Sequence, residues 1–493
     1  MKHNLADARI NVARPAWQHQ RLVPRIVHIG CGAFHRAHQA LYQHHLLEVS
    51  DSDWGICEVN LMSASGKALV EQLRAQDLLY SVTEKGATGQ VVKIIGAIHS
   101  ALHPALDGCE GILQALARPE TAIVSLTITE KGYCTQGATA EPDFSHPLLE
   151  QDLAHPHQPA SAIGFIVEAL RLRREAGLPA FSVLSCDNLR ENGHVARAVV
   201  TGLAQQRDPD LAAWIDEHVT FPCTMVDRIV PAVTEETQQE IAQLLGTEDP
   251  CGVACEPFRQ WVIEDNFVAG RPDWQRVGAQ FVTDVAPFEL MKLRLLNGSH
   301  SFLAYLGFLG GCETIADTMQ LPAYRRAALA LMLQEQCPTL SMPAGVDLVD
   351  YAHQLIERFS NPSLRHRTAQ IASDGSQKLP QRLLDALRYH LRHGSDCRHL
   401  VLGVAGWMRY ILGEDEQGQR YTVADPLAAK FAQINQEYPS GAGRVQALLA
   451  IDAIFPADLA ASDTFVTALQ QAYAALCEQG ARAAVASLNP ESA

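Results

Sequence analysis

The sequence predicts an α/β domain over residues 1–285, built on a doubly wound, mostly parallel sheet, followed by a mostly α-helical domain over residues 286–493. Three observations carry this prediction. Short apolar runs alternate with helix-length segments through the first half, the pattern of a parallel sheet with helices on both faces. A glycine-bearing turn, Gly30 to Gly32, falls between the first such run and the helix that follows. Beyond about residue 285 the strand signal stops, and helical periodicity continues between breaks that contain Pro and Gly.

Taken in order, RIVHIG (25–30) reads as a short buried strand, AHQALYQHHLLEVS (37–50) as a helix and WGICEVNLM (54–62) as a second strand. LLYSVTE and VVKIIGAIH read as two more strands, CEGILQALARP as a helix and TAIVSLTIT (121–129) as a β-rich run. AIGFIVEALRLRREAG is a helix and AFSVLSC (180–186) a strand. One long helical run, 191–218, leads to the extended VTFPCTMVDRIVP (219–231). The boundary falls at DVAPFE. After it, KLRLLNGSHSFLAYLGFLGG, AYRRAALALMLQEQC, DLVDYAHQLIERFS, QRLLDALRYHLRHG and DTFVTALQQAYAALCEQGARAAVASL all carry helical periodicity. No internal repeat stands out.

The chain has 493 residues, 19% of them charged, and a formal net charge of −16. That balance argues against nucleic acid or an anionic membrane as partner, although a local basic pocket can still take a small anion. No apolar run approaches the ~18 residues of a membrane span. The N-terminal MKHNLADARINVARPAWQHQ lacks the apolar core of a signal peptide. The twelve cysteines include no CxxC, and the nearest pair, Cys251 and Cys255, has no second pair to complete a zinc site. A cytoplasmic protein without a metal is expected. Nothing in the pattern sets its oligomeric state.

The stretch IVHIGCGAFHRAH places Gly30 and Gly32 between strand and helix, where a Rossmann-type dinucleotide turn would sit. Gly30 permits a tight turn, and Gly32 lets backbone N–H groups approach a pyrophosphate at the helix N-terminus. The cofactor-binding positions are then Ile29, Gly30, Cys31, Gly32, Ala33, Phe34, His35 and Arg36. The usual third glycine is absent, with His35 in its place, so an ordinary strand-to-helix turn is the competing reading. At the end of the second strand Glu58 and Asn60 are the candidates for the adenosine ribose. An acidic group there would favour NAD over NADP by repelling a 2′-phosphate.

The reacting groups are sought in MKLRLLNGSH (291–300) and the residues just before it. At about 100° per residue, Glu289, Lys292, Asn297 and His300 fall within an arc of roughly 140° of one helix. Lys292 could simply snorkel from a leucine-rich surface. Desolvated beside a positively charged nicotinamide, it would instead give up its proton readily enough to serve as a base. Asn297 could donate to a developing alkoxide and His300 could hold a substrate hydroxyl. Two loops after strands add Asp187 and Asn188 (SCDNLRENG) and Asp227 and Arg228 (MVDRIVP), at the strand ends where α/β sheets bind ligands. Asn188 with Asn297 would form an oxyanion hole. The alternatives are an Asx turn for CDN and a structural ion pair for Asp227–Arg228.

The stretches GCGAFHRAHQALY, SLTITEKGY, SCDNLRENG, FPCTMVDRIVP and KLRLLNGSHSFLAYLG resemble, in order, those of the mannitol dehydrogenase family, the long-chain polyol dehydrogenases. The likeness spans essentially the whole chain. It implies NAD-dependent, metal-free hydride transfer between a secondary alcohol and a ketone. By position it implies Lys292 as general acid/base, Asn188 and Asn297 as oxyanion-hole amides, His300 as the substrate-orienting histidine and Glu289 as a proton-relay carboxylate. It adds Thr129 and Asp227 to the residues beside the cofactor. The two-glycine turn followed by FHRAH is itself the family's form.

Three further stretches, WGICEVNLM, EPFRQWVIEDNF and SNPSLRHR…DGSQKLPQR, imply within this family a sugar-acid substrate, D-mannonate oxidised to D-fructuronate. A carboxylate calls for an arginine clamp, for which Arg365, Arg367 and Lys378 are the candidates, with Arg294 behind them. An uncharged polyol (mannitol or arabinitol) or the epimeric tagaturonate is the near alternative. A non-catalytic nucleotide-binding regulator is the distant one.

Overall fold

A computed structural model of the chain describes residues 5, 8, 9, 11–61, 63–136 and 140–488. It divides into two compact units, Met1–Ala286 and Pro287–Ala493.

The first unit is built on five parallel strands. They are β1 (Val23–Ile29), β2 (Trp54–Val59), β5 (Ile98–Leu102), β6 (Ile123–Leu126) and β7 (Ser182–Ser185), in the order β5-β2-β1-β6-β7. Sequential strands run outward from β1 to one edge, and the chain then returns to place β6 on its other side. The switch point therefore lies between β1 and β6. Both faces of the sheet are covered. Val27, Ile29, Val59, Val124 and Val183 belong to one core cluster, and Ile26, Ile56, Ile98, Ile123 and Leu184 to another. Such strands read as continuous apolar runs because neither face meets water.

Two small mixed sheets complete the unit. In one, β3 (Tyr80–Lys85) pairs antiparallel with β4 (Gln90–Ile95) and parallel with β9 (Val253–Cys255). In the other, β10 (Gln260–Glu264) lies between β8 (Thr224–Asp227), antiparallel, and β11 (Gln280–Val282), parallel.

Three local expectations change. VVKIIGAIH is two strands, not one: the chain breaks at Gly96–Ala97, and only β5 joins the central sheet. The long run 191–218 is two helices, Asn192–Arg207 and Pro209–His218. Pro209 has no N–H to continue the first, and the Asp208 side chain caps the second by accepting from Asp210 N. The second strand stops at Val59, and Met62 lies outside the described residues.

The second unit holds helices and, among its described residues, no strand beyond two isolated bridges. Its centre is Ser299–Leu309, buried at nearly every position. Helix Arg398–Tyr410 packs on it through small residues. A Cβ at Gly403 would lie 3.2 Å from Phe302, and one at Gly406 would lie 2.9 Å from Leu306. Immediately before this core helix the α-helical pattern is interrupted. Ala286–Met291 is α-helical, Lys292–Gly298 is a π-helix, and α-geometry resumes at Ser299. Two other π segments occur in the unit, Leu331–Gln336 and Pro380–Leu384. They approach at Gly298, where a Cβ would lie 2.7 Å from the Arg382 carbonyl oxygen and would overlap the Gln336 amide. Gly298→Ala is therefore expected to cost about 1–3 kcal/mol, read as a lower Tm, because the Gln336 side chain can shift aside but the Arg382 backbone cannot.

Candidate active site

In the first unit the turn after β1 begins at Gly30, whose φ of +103° suits glycine. A Cβ there would overlap the Thr127 carbonyl oxygen, so β1 and β6 close tightly beneath the turn. Gly32 differs: a Cβ on it would meet only Gly30 O, at 3.8 Å, which leaves the face of the turn open. Asn60 braces the turn from the end of β2, its Oδ1 accepting from Cys31 N at 2.9 Å. A cavity of about 280 Å³ opens there, lined by Gly30, Asn60, Leu61, Ser63, Ile128 and Ala162 among others. It sits at the carboxyl ends of β1 and β2 beside the switch point, the place where a doubly wound sheet binds a dinucleotide. The open turn and this cavity fit NAD.

The side chains of the turn divide. Gly32, Ala33 and Phe34 are exposed or half-buried, whereas Ile29, Cys31, His35 and Arg36 are buried. His35 Nε2 lies 2.7 Å from Glu58 Oε1, and both side chains are 0% exposed. Arg36 donates to Gly32 O and to Cys251 O, at 3.2 and 2.7 Å. Of the two ribose candidates, Glu58 therefore lies inside the protein against His35, and Asn60 lines the cavity. Glu58 is corrected from a ribose contact to a structural partner of the turn. His35 and Arg36 can meet a cofactor only through their backbone. The donor atoms of His28, His35 and Glu58 lie within 4.8 Å of one another. Yet the two imidazoles stack face to face, 3.4 Å between centroids and 11° between planes. One ion cannot lie in the plane of both rings, so the cluster does not make a metal centre.

Asp187, just beyond β7, is buried and accepts from Ile128 N at 3.0 Å, Thr129 N at 2.9 Å and the Tyr133 hydroxyl at 2.7 Å. Burial raises its pKa to about 6 against the pull of those donors. It holds the segment after β6, where Thr129 has a φ of +62°, instead of closing an Asx turn of its own. Asn188 beside it is exposed. Sequence reading missed Asn192. Its Nδ2 donates to Ser185 O, Asp187 O and Thr224 O, and its Oδ1 accepts from Thr224 N, which ties β7 to β8. Asp227 ends β8 and is buried. Arg228 donates to Glu256 O and pairs with Glu84, and is structural.

In the second unit Glu289, Lys292, Asn297 and His300 are all buried, at 8, 9, 5 and 6% exposure. The π-helix changes the geometry expected of them. With i→i+5 bonding, residues five apart occupy successive turns on one side, so Lys292 and Asn297 align more closely than α-periodicity would bring them. Insertions of this kind occur often at functional sites. Asn297 Nδ2 and His300 Nε2 are buried without a hydrogen-bond partner among the described residues. Two such atoms in one site are costly unless a ligand meets them.

His300 stacks on Phe359 at 5.0 Å and meets His366 edge-on at 4.8 Å. Burial holds its pKa well below the usual value, helped by His366, Arg382, Arg358 and Lys378. A neutral imidazole can both donate and accept toward a hydroxyl. Arg365 and Arg367 are exposed, and Arg367 reaches Glu313 at 3.9 Å. They flank His366, and it is His366 that turns inward. Lys378 donates to Ser373 O at 2.6 Å, Arg382 donates to Ser301 Oγ at 3.1 Å, and Arg294 is anchored on Thr339 O. Sequence reading thus missed Arg358, His366 and Arg382. The usable signal was RHR itself, whose middle residue faces opposite to its neighbours.

The first unit thus carries a doubly wound sheet with an open glycine turn at its switch point, and the second a buried lysine, amide and histidine on one helix. The chain belongs to the mannitol dehydrogenase family: residues 24–276 match its Rossmann domain and residues 284–477 its C-terminal domain. It is 68% identical to D-mannonate oxidoreductase of Escherichia coli (strain K12) over 484 residues, 98% of this chain and 99% of that protein. The structure of Pseudomonas fluorescens mannitol 2-dehydrogenase in a ternary complex with NAD and D-mannitol matches with a TM-score of 0.90 and 40% identity, covering 100% of both chains. A substrate-free D-sorbitol dehydrogenase matches at 0.87 and 35%, covering 98% of this chain and 99% of that one.

Proposed function

We infer that this protein is an NAD-dependent oxidoreductase that interconverts D-mannonate and D-fructuronate. The observation that carries the reading is the 68% identity, over nearly the full length of both chains, to D-mannonate oxidoreductase. The open turn and the cavity beside it at the switch point support it.

In oxidation, NAD supplies the hydride acceptor. Lys292, as the neutral amine, takes the hydroxyl proton as the carbon gives up its hydride and the C–O bond becomes a carbonyl. Asn297 donates through its unpartnered Nδ2 to the oxygen while it carries charge, and Asn188 is proposed as the second amide. His300 holds a neighbouring hydroxyl through Nε2. Glu289, three residues before Lys292, is proposed to pass the proton onward. In reduction Lys292 returns the proton. Thr129 and Asp227 are proposed to line the cofactor side.

The substrate carboxylate needs a cation. Lys378 is kept for that role, joined by Arg358 and Arg382, which act on His300, while Arg365 and Arg367 point to solvent. Arg382→Gln is expected to raise KM for D-fructuronate about 10- to 100-fold, the worth of a hydrogen bond between charged groups, with little change for uncharged D-fructose. Equal losses with both ketoses would remove Arg382 from carboxylate recognition.

Two proposals concern its setting. No described helix is long and apolar enough to cross a membrane. The twelve cysteines are all free, eight of them buried, as suits a reducing cytoplasm. The partner proposed is a small sugar acid and not a nucleic acid.

The deciding assay follows NADH consumption with D-fructuronate, D-fructose and D-tagaturonate in parallel. Preference for fructuronate is expected. Preference for fructose would keep the chemistry and overturn the substrate, and no turnover with any ketose would overturn the catalytic assignment.

A further inference from the structure

The parallel register sets His28 of β1 directly beside Glu58 of β2 and Ser125 of β6. Three polar side chains therefore stand abreast on the face of the sheet that also carries Ile26, Ile56, Ile123 and Leu184. His28 is satisfied: Nδ1 lies 2.7 Å from Ser125 Oγ, and Nε2 lies 2.8 Å from Thr127 Oγ1. Glu58 is not. Oε1 meets His35 Nε2, while Oε2 accepts no hydrogen bond of normal length, and His35 Nδ1 is also unpartnered. A carboxylate and an imidazolium left this way would each strand buried charge. A neutral carboxyl donating its proton to a neutral imidazole strands none.

The surroundings favour that neutral pair. Facing Glu58 are His28 from β1, the Cys31 thiol from the turn, His35 and Arg36 from helix Ala33–Ala37, and Tyr80 from β3. Gln39 reaches the two histidines from the next helix. Burial, with Arg36 adding to it, holds the pKa of His35 down at about 3, and a charge on its ring would also sit against the stacked His28 ring. Burial pushes Glu58 up to about 7 although His28, Cys31 and Arg36 pull it down. Glu58 therefore touches the turn twice, at Cys31 within it and at His35 just after it.

We propose that Glu58 is a positioning residue for the dinucleotide: protonated, it bonds His35 and holds the Gly30–Gly32 turn in its binding shape, and its ionisation loosens the turn and weakens NADH binding. The proposal rests on the cofactor reading above. The sign follows from the site. Ionised, Glu58 can still accept from the Nε2–H of neutral His35, but it then becomes a buried charge that this neutral partner does not balance. That charge lies directly behind a turn that binds an anion, so binding is strong at low pH and is lost as pH rises through the titration of Glu58. The consequence is a ketone-reducing enzyme whose grip on NADH slackens in alkaline solution with no titrating group in contact with the ligand.

The test is NADH affinity by fluorescence titration from about pH 6 to about pH 9, with circular dichroism to confirm folding. For wild type, Kd is expected to rise about tenfold or more across that range, one pH unit beyond the titration being worth a factor of ten. Glu58→Gln, a neutral isostere of the protonated form, should bind like wild type at low pH and lose the slope. Glu58→Ala should bind about tenfold more weakly throughout. A flat wild-type profile overturns the proposal without reference to any variant. So does a Glu58→Gln protein that binds poorly at low pH or keeps the wild-type slope. Absence of NADH binding by wild type at every pH would overturn the cofactor reading and the proposal with it.

Discussion

Lys292→Ala is expected to lower kcat about 10²- to 10⁴-fold in both directions, the usual worth of a positioned acid/base, while Kd for NADH stays within about threefold. The side chain is 9% exposed, within a helix whose neighbours Leu293, Leu295 and Leu296 are core. Truncation leaves a cavity on the polar side without disturbing that packing. The alcohol must then surrender its proton to water, which the buried site admits poorly. A small primary amine added to the assay should restore part of the lost rate, because it can occupy the vacated space with the same chemistry. A variant retaining more than about a third of the wild-type kcat would remove Lys292 from proton transfer.

Gly30→Ala carries the second large effect, and it is one of stability as well as binding. The residue adopts φ +103°, and the added methyl would stand 2.8 Å from Thr127 C and overlap its oxygen. Thr127 also donates from Oγ1 to Gly30 O at 2.6 Å, so the two backbones cannot separate without breaking that bond. Backbone strain and overpacking together are expected to cost about 2–5 kcal/mol and to weaken NADH at least tenfold. Gly32→Ala is the control. Its methyl meets open space, so Tm should move by the equivalent of no more than about 0.5 kcal/mol, while NADH affinity falls because that space faces the cofactor. An unchanged Tm in Gly30→Ala, or equal effects from the two variants, would show that the turn does not close as described.

The architecture of the first unit was legible because it rests on local patterns. Buried parallel strands announce themselves as apolar runs, and Gly30 and Gly32 fall between one such run and a helix. The side each polar residue takes was not legible. A strand buried on both faces gives no alternation of polar and apolar residues, so nothing in WGICEVN separates an inward Glu58 from an outward one. Its partner, His35, lies 23 residues away and is found only once register is known. Glu289, Lys292, Asn297 and His300 were readable as a set of polar residues on one helix, but the geometry assumed for them was not the one adopted. A π segment has no compositional mark of its own, and this one meets Arg382 and Gln336, which are distant in sequence. Arg365 and Arg367 were chosen as clustered charge, but the cations that act on His300 come from three separate elements.

The π segment also absorbs one residue of chain length. Removing one residue between Lys292 and Asn297 would let ordinary i→i+4 bonding run straight through, at a gain in helical regularity. Asn297 would then stand four residues from the lysine, about one α-helical turn, and so on the same side of the helix as before. What would be lost is the widened turn itself, whose end at Gly298 meets the Arg382 carbonyl and the Gln336 amide. This stretch can therefore shorten by one residue without scattering its polar side chains, and a protein so shortened is expected to lose packing around Gly298 before it loses the alignment of Lys292 with Asn297.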